Sequence, residues 1–265
     1  MEGHDKLPQS VAGDAHPEFI PGGQSPGLLL ICDHASNQVP NDLNNLGLDS
    51  LALNQHIAID VGAAPLTRRL AQDLGAPAVL STTSRLVFDF NRWPGGENSI
   101  PETSHDVAIP GNSGIGPEEA ARRRDVYFQP YHDKIAETLG WLESSQPPAS
   151  IISIHSFTPY LAEQRPWHVG VLWDRDQRLA EPILAALYKN EDLVVGANQP
   201  YSGHSPLGFS CQSHGDAKGR PNVFFEVRQD LIETPQGVAA IADLLGPVIA
   251  DVTQSIQARG NYDGE

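Results

Sequence analysis

The sequence predicts an α/β protein with a mixed, largely parallel central sheet. Three observations carry this reading. Short apolar runs of strand length recur along the chain, alternating with stretches of helical periodicity. Several of these runs are apolar throughout, as strands buried on both faces are. Polar, chemistry-bearing residues gather where the runs end, which is where open α/β sheets take their ligands.

Residues 1–24 are rich in Pro, Gly, His and acid and read as a flexible arm; residues 25–265 show no repeat or dividing linker and read as one domain. Leu28-Leu29-Leu30-Ile31-Cys32 is a buried strand. Ser50 caps a helix expected to run to about Leu74, with Leu51, Ile57, Ala58, Val61, Leu66 and Leu70 as its apolar stripe and a kink at Pro65. Residues 78–90 read as extended, and 93–116 as a long loop of the kind that is functional or mobile. Pro117-Glu118-Glu119 opens a helix to Trp141 that Pro130 interrupts. Ile151 to His155 and Val169 to Trp173 are strands, and Asp176 to Tyr188 is an amphipathic helix. A short strand at Leu193-Val194-Val195 and a polar loop over 198–220 lead to the strand Asn222 to Val227. A helix from about Thr234 to Gln257 closes the chain.

Composition narrows the function. Of 265 residues, 33 are acidic and 17 basic, a net charge of −16. Such a surface repels a phosphate backbone, so nucleic acid is not an expected partner. Apolar content of 40% argues against disorder. Two cysteines, Cys32 and Cys211, make no disulfide framework, and with no secretory signal they point to the reducing cytoplasm. No apolar run is long enough to suggest a membrane span. The expected partner is a small anionic molecule; oligomerisation is compatible with the sequence but unspecified by it.

Two histidines and a glutamate stand out. His34 follows the first buried strand, His155 ends the second, and Glu226 sits inside the apolar strand Asn222 to Val227. Two imidazoles at strand ends suit zinc or another divalent transition metal. The third ligand is open on the residues alone: Asn37, Asp60, Asp33 and the other histidines are all available. A carboxylate buried like Glu226 must be paired or functional, and apolar walls raise its pKa toward that of a general base. Arg85, Asp89, Asn91 and Arg92 crowd the end of an extended run and read as a cradle for a small carboxylic acid. Tyr201, His204, Tyr131-His132 and Arg165 supply further polar groups. Neither a Gly-x-Ser-x-Gly elbow nor a phosphate-binding glycine loop is present. Cys32 reads as core, and nothing singles out Ser36 or Ser156 as a nucleophile.

The ordered blocks Cys32-Asp33-His34-Ala35-Ser36-Asn37, His56 to Ala63, Ser84-Arg85 with Asp89 to Arg92, Pro130-Tyr131-His132, His155-Ser156-Phe157 and Phe225 to Leu231 resemble the N-formylglutamate amidohydrolase family. More distantly they are similar to zinc carboxypeptidases. The resemblance implies a three-layer sandwich of zinc-exopeptidase (phosphorylase/hydrolase-like) type. It implies metal ligation by His34 and His155, with Asn37 where the carboxypeptidases have a glutamate ligand. Glu226 becomes the base, assisted by Arg85. Arg85, Asp89, Asn91, Arg92, Ser156, Tyr201 and Arg228 become substrate contacts. The implied reaction is hydrolysis of N-formyl-L-glutamate to formate and glutamate. A zinc exopeptidase or deacylase for another acyl amino acid is the alternative enzyme, and a non-catalytic carboxylate-binding protein is the alternative of another class.

Overall fold

The computed structural model describes residues 16–24, 27–144, 148–203 and 208–260. Seven strands form one sheet: β1 (Glu18–Ile20), β2 (Leu28–Cys32), β3 (Ala78–Leu80), β4 (Ser150–Phe157), β5 (Val169–Leu172), β6 (Val195–Ala197) and β7 (Asn222–Arg228). Their spatial order is β1-β3-β2-β4-β7-β5-β6. The β1–β3 and β7–β5 pairings are antiparallel, and the other neighbours run parallel. The mixed, mostly parallel sheet is the one the sequence predicts.

Helices cover both faces. Alternation along a strand decides which residues meet which layer. Leu28, Leu30, Ile152, Ile154, Val223, Phe225 and Val227 pack under α1 (Ala63–Leu74), α3 (Ala180–Leu187) and α5 (Pro235–Gly260). Leu29, Ile31, Ile151 and Phe224 face the opposite layer, built from α2 (Gln129–Leu142) and α4 (Phe209–His214). The same parity turns Ser153, His155 and Glu226 toward this second face. Because β2, β4 and β7 are parallel neighbours, their carboxyl ends open at one edge of it.

Four elements differ from expectation for identifiable reasons. Ser50 to Leu74 is not one helix. A single turn, Ser50–Leu53, is capped by Asp49, whose carboxylate accepts from the Ala52 amide at 2.8 Å, and α1 starts only at Ala63. Gly62, at φ +79°, breaks the run and leaves Asp60 in a turn. The helix from Pro117 is not broken at Pro130: a wide-turned stretch, Arg124–Phe128, passes the chain into α2 with Pro130 in its first turn, where the missing amide costs least. Part of the expected arm is structured, since Glu18–Ile20 pairs with β3; residues 1–15 lie outside the described residues, as does His204. Finally, α5 is long and apolar enough, by length and composition, to cross a membrane. Here it lies along α1 and α3 and buries Val238, Ile241, Ala242, Leu245 and Ile249 in the core.

A side chain at position 62 has no room. A Cβ there would stand 2.3 Å from the Ile232 carbonyl oxygen, in a backbone conformation that L-residues resist. Gly62→Ala is therefore expected to destabilise the fold by about 2 kcal/mol or more. That is roughly 4–8 °C in the melting temperature of a domain of this size. An unchanged melting curve would refute this account of the turn.

Candidate active site

Asp33 and His34 follow β2 directly, and the Asp60 amide donates to the His34 carbonyl at 3.1 Å, tying the turn before α1 to the end of that strand. His155 and Glu226 are direct partners in the parallel register of β4 and β7. The segment after β3 supplies Arg85 and Asp89. These elements bring His34, Asp60 and His155 together, all buried, with one potential ligand atom from each within 4.8 Å of the others.

The imidazoles are oriented from behind. His34 Nε2 lies 2.9 Å from Asp89 Oδ1, and His155 Nε2 lies 3.1 Å from Asp33 Oδ2. Their Nδ1 atoms converge on Asp60 Oδ2, at 3.2 and 2.8 Å. With a metal bound between them, carboxylates behind both Nε2 atoms would keep those nitrogens protonated and leave each Nδ1 lone pair to the ion. Outer carboxylates serve metal-binding histidines in this way. Two imidazole nitrogens and one carboxylate oxygen, mutually within reach, make a donor set that fits a metal ion.

Each outer carboxylate is itself held. Asp33 accepts hydrogen bonds from Tyr131 Oη (2.9 Å), Ser210 Oγ (2.6 Å) and Ser153 Oγ (3.2 Å). Burial pushes its carboxyl up, but His155 first, then His34 and Ser210, outweigh that and bring it down to about 2. Asp89 accepts from both Arg85 Nε (3.0 Å) and Nη2 (2.7 Å), and from the Asn91 amide (2.9 Å). Arg85 also reaches Asp60 Oδ1 at 3.4 Å. Against their burial, Asp89 is held far below the usual carboxylate range chiefly by Arg85, and Asp60 chiefly by His34 and His155. Burial lowers the two imidazoles, yet the flanking carboxylates raise both overall. A metal and a proton therefore compete for the same Nδ1 lone pairs.

Glu226 is the exception. Its Oε2 is buried with no hydrogen-bond partner among the described residues. Burial, with Asp60 adding to it, outweighs the pull of His155, His34 and Arg85 and lifts its carboxyl well above the usual range.

These groups open onto a cavity of about 410 Å³, lined by His34, Asp60, His155 and Glu226. Arg85, Asp89, Asn91, Arg92, Ser156 and Tyr201 line it too. Among them the Arg92 guanidinium makes no hydrogen bond or ion pair with any described residue, although the Arg92 backbone amide donates to the Asp89 carbonyl at 3.2 Å; the guanidinium acts on the Asp89 carboxylate through its field. Asn91 Oδ1 accepts from the Ser210 amide at 3.1 Å, which leaves its amide nitrogen as the available donor. The Ser156 hydroxyl donates to the Val61 carbonyl (2.8 Å), and Tyr201 Oη accepts from Arg165 (3.0 Å).

Three expected roles are not supported by these positions. Asn37 stands outside the donor set: its amide donates to Asn54 Oδ1 at 2.9 Å away from the cavity lining, and the group that could hold a metal is His34, Asp60 and His155. Arg228 does not face the cavity; its guanidinium is committed to Asp230 at 2.8 and 3.1 Å. Asp89 cannot grip a carboxylate, being one itself with both oxygens occupied; it orients His34 and Arg85 instead. Sequence reasoning missed Asp33 as the group that orients His155, and missed Ser210 altogether. Asp33 carried a signal, an acid at the end of an apolar strand beside a histidine. Ser210 carried none.

Fold and site together define an α/β enzyme whose polar machinery sits at the carboxyl ends of parallel strands. The chain belongs to the N-formylglutamate amidohydrolase family, whose model matches residues 27–233. It is similar to a gene product of Agrobacterium tumefaciens of solved structure, with 33% identity, a TM-score of 0.82 and coverage of 87% of this chain and 91% of that one. It also shares its fold with the N-formylglutamate amidohydrolase from Ralstonia eutropha JMP134, at 16% identity and a TM-score of 0.61, covering 93% of this chain and 99% of that one. No curated protein sequence matches it. Membership makes the chain a hydrolase of linear amide C–N bonds.

The donor set separates two ligand assignments that the sequence leaves open. Asp60→Asn is expected to lower metal content after purification and dialysis by tenfold or more, whereas Asn37→Ala keeps the wild-type content. Elemental analysis of the two variants beside wild type decides it; the opposite ranking would restore Asn37 as the ligand.

Proposed function

We propose that this chain hydrolyses N-formyl-L-glutamate to formate and L-glutamate, using zinc or a similar divalent transition metal held by His34, Asp60 and His155. The observation that carries the reading is the contrast between that oriented donor set and the Glu226 carboxyl beside it, whose buried Oε2 has no hydrogen-bond partner among the described residues. A metal bound there supplies Lewis acidity and a water of lowered pKa.

The remaining work falls to the chain. Arg92 holds the substrate's α-carboxylate, with the Asn91 amide nitrogen as second donor, and this fixes the formyl group in the cavity. Glu226 takes a proton from the attacking water as the new C–O bond forms at the formyl carbon. It then returns that proton to the departing amine as the C–N bond breaks, so that formate and free glutamate leave. A carboxyl lifted by burial suits both transfers, because its pKa lies near that of the groups it serves. Arg85 keeps Asp60 and Asp89 in place and sets positive charge facing the developing oxyanion. Ser156 and Tyr201 complete the wall. Cys32 and Cys211 are buried free thiols, which fits the reducing cytoplasm as the working compartment.

The test is formate release from N-formylglutamate, lost on chelation and restored by divalent metal; turnover indifferent to chelator would sink the metal's role. Glu226→Gln is expected to lose about 10²–10⁴-fold in kcat. It should also melt higher than wild type in the metal-free proteins. The raised carboxyl means that the folded state resists ionising Glu226, a cost absent at low pH that grows as the pH rises from about 4.5 to about 7 and is constant above that. The variant's advantage should grow over the same range. A lower melting temperature at pH 8 would mark Glu226 as half of a structural ion pair instead.

A further inference from the structure

Two histidines in the cavity take no part in the mechanism above. The hairpin spanning 103–108 pairs Thr103 with Ala108 and Ser104 with Val107, leaving His105 and Asp106 as a two-residue turn. Both turn residues have positive φ, +47° and +64°. This is the mirror-image turn that Asn-Gly usually supplies, and residues bearing larger side chains hold it at a cost. What the turn achieves is to set the His105 ring against His56, edge to face, with centroids 4.5 Å apart. Both rings line the cavity, together with Thr103 and Ser104 of the same hairpin.

His56 Nε2 is buried and has no hydrogen-bond partner among the described residues. A buried nitrogen left so costs on the order of 1–3 kcal/mol unless something completes it. Neither ring belongs to the metal donor set. Burial is the largest influence on each ring and disfavours its charged form. Among charged groups, Arg85 and Arg165 act on both rings, each more strongly than the carboxylate that opposes them, Asp60 at His56 and Asp106 at His105. The pair thus offers neutral N–H donors in a positive field, and that is a place for an anion's oxygens.

We infer that His56 and His105 form the subsite for the side-chain carboxylate of an acidic N-acyl amino acid, leaving the α-carboxylate to Arg92. The inference rests on the amidohydrolase reading above and adds to it the residues that select an acidic side chain. A substrate with two carboxylates would then bridge the Arg92 guanidinium at one part of the cavity and the imidazole pair at another.

N-formylglutamate and N-formylglutamine test this, being nearly identical in shape and differing in the charge of the side-chain terminus. The readout is the ratio of their kcat/KM values on one preparation, which cancels any difference in the fraction of folded enzyme. Wild type is expected to favour the glutamate derivative by about 10²-fold. His56→Ala and His105→Gly should each shrink that ratio by tenfold or more, the loss falling on KM for the glutamate derivative. His105→Gly also relieves the strained turn, so it is not expected to threaten folding. Variants that keep the wild-type ratio, or a wild type that cleaves both derivatives equally, overturn the subsite while leaving the amidohydrolase reading intact. A wild type that cleaves neither overturns both.

Discussion

Everything around the site depends on keeping three carboxylates ionised while they are buried. Asp33, Asp60 and Asp89 are each no more than 5% exposed. A carboxylate removed from water costs several kcal/mol unless its oxygens are matched. The structure matches each of them from distant parts of the chain. Tyr131, Ser153 and Ser210 reach Asp33 across sequence separations of 98, 120 and 177 residues. Arg85 spans Asp89 and Asp60. The two imidazoles close the set, because each contacts two carboxylates at once. The placement of α2 and α4 and the course of the segment after β3 follow from this demand as much as from apolar packing. Each helix delivers a donor that a buried acid requires.

That requirement explains what could be read from the sequence. His34, His155 and Glu226 were legible because a polar residue in or at the end of an apolar strand breaks its own local pattern. The order of strands and helices was legible because apolar period and length report burial directly. Asp60 was obscured by its surroundings: Leu51, Ile57, Ala58, Val61, Leu66 and Leu70 make a plausible helical stripe running straight through it. Only the backbone freedom of Gly62 turns that stripe into a turn with an acid at its apex. Reading Asn37 as the third ligand followed from its spacing to His34, yet the chain beyond His34 carries Asn37 to Asn54 on the surface. Ser210 lies in a stretch whose only local features are those of a polar loop. Its role exists only once α4 stands beside the end of β2.

The site divides cleanly into satisfied and unsatisfied groups, and the division corresponds to the proposed roles. Asp33, Asp60 and Asp89 are matched and held ionised, which suits groups that orient imidazoles and carry charge. Glu226 has a buried oxygen without a partner among the described residues, and its carboxyl is pushed the other way. Environments that drive neighbouring acids in opposite directions mark which of them exchanges protons and which does not. Arg92 is the cationic counterpart: a guanidinium in the cavity wall with no ion pair among the described residues.

An enzyme that leaves these groups unmatched is less stable in the free state than one that pairs them, so the pattern is informative about what binds. A bound acyl amino acid would supply the missing partners: carboxylate oxygens for Arg92 and for the imidazole pair, and a water or an amide nitrogen within reach of Glu226. Selectivity follows from the same arrangement. An analogue lacking one carboxylate would leave a donor without a partner, and its binding would be weakened by the desolvation that the proposed substrate offsets. A cavity assembled this way discriminates by what it leaves unpaired more than by its shape. On the proposed reading, the polarity of its wall, cationic and donor-rich with one protonatable acid beside the donor set, complements a small, doubly acidic amide.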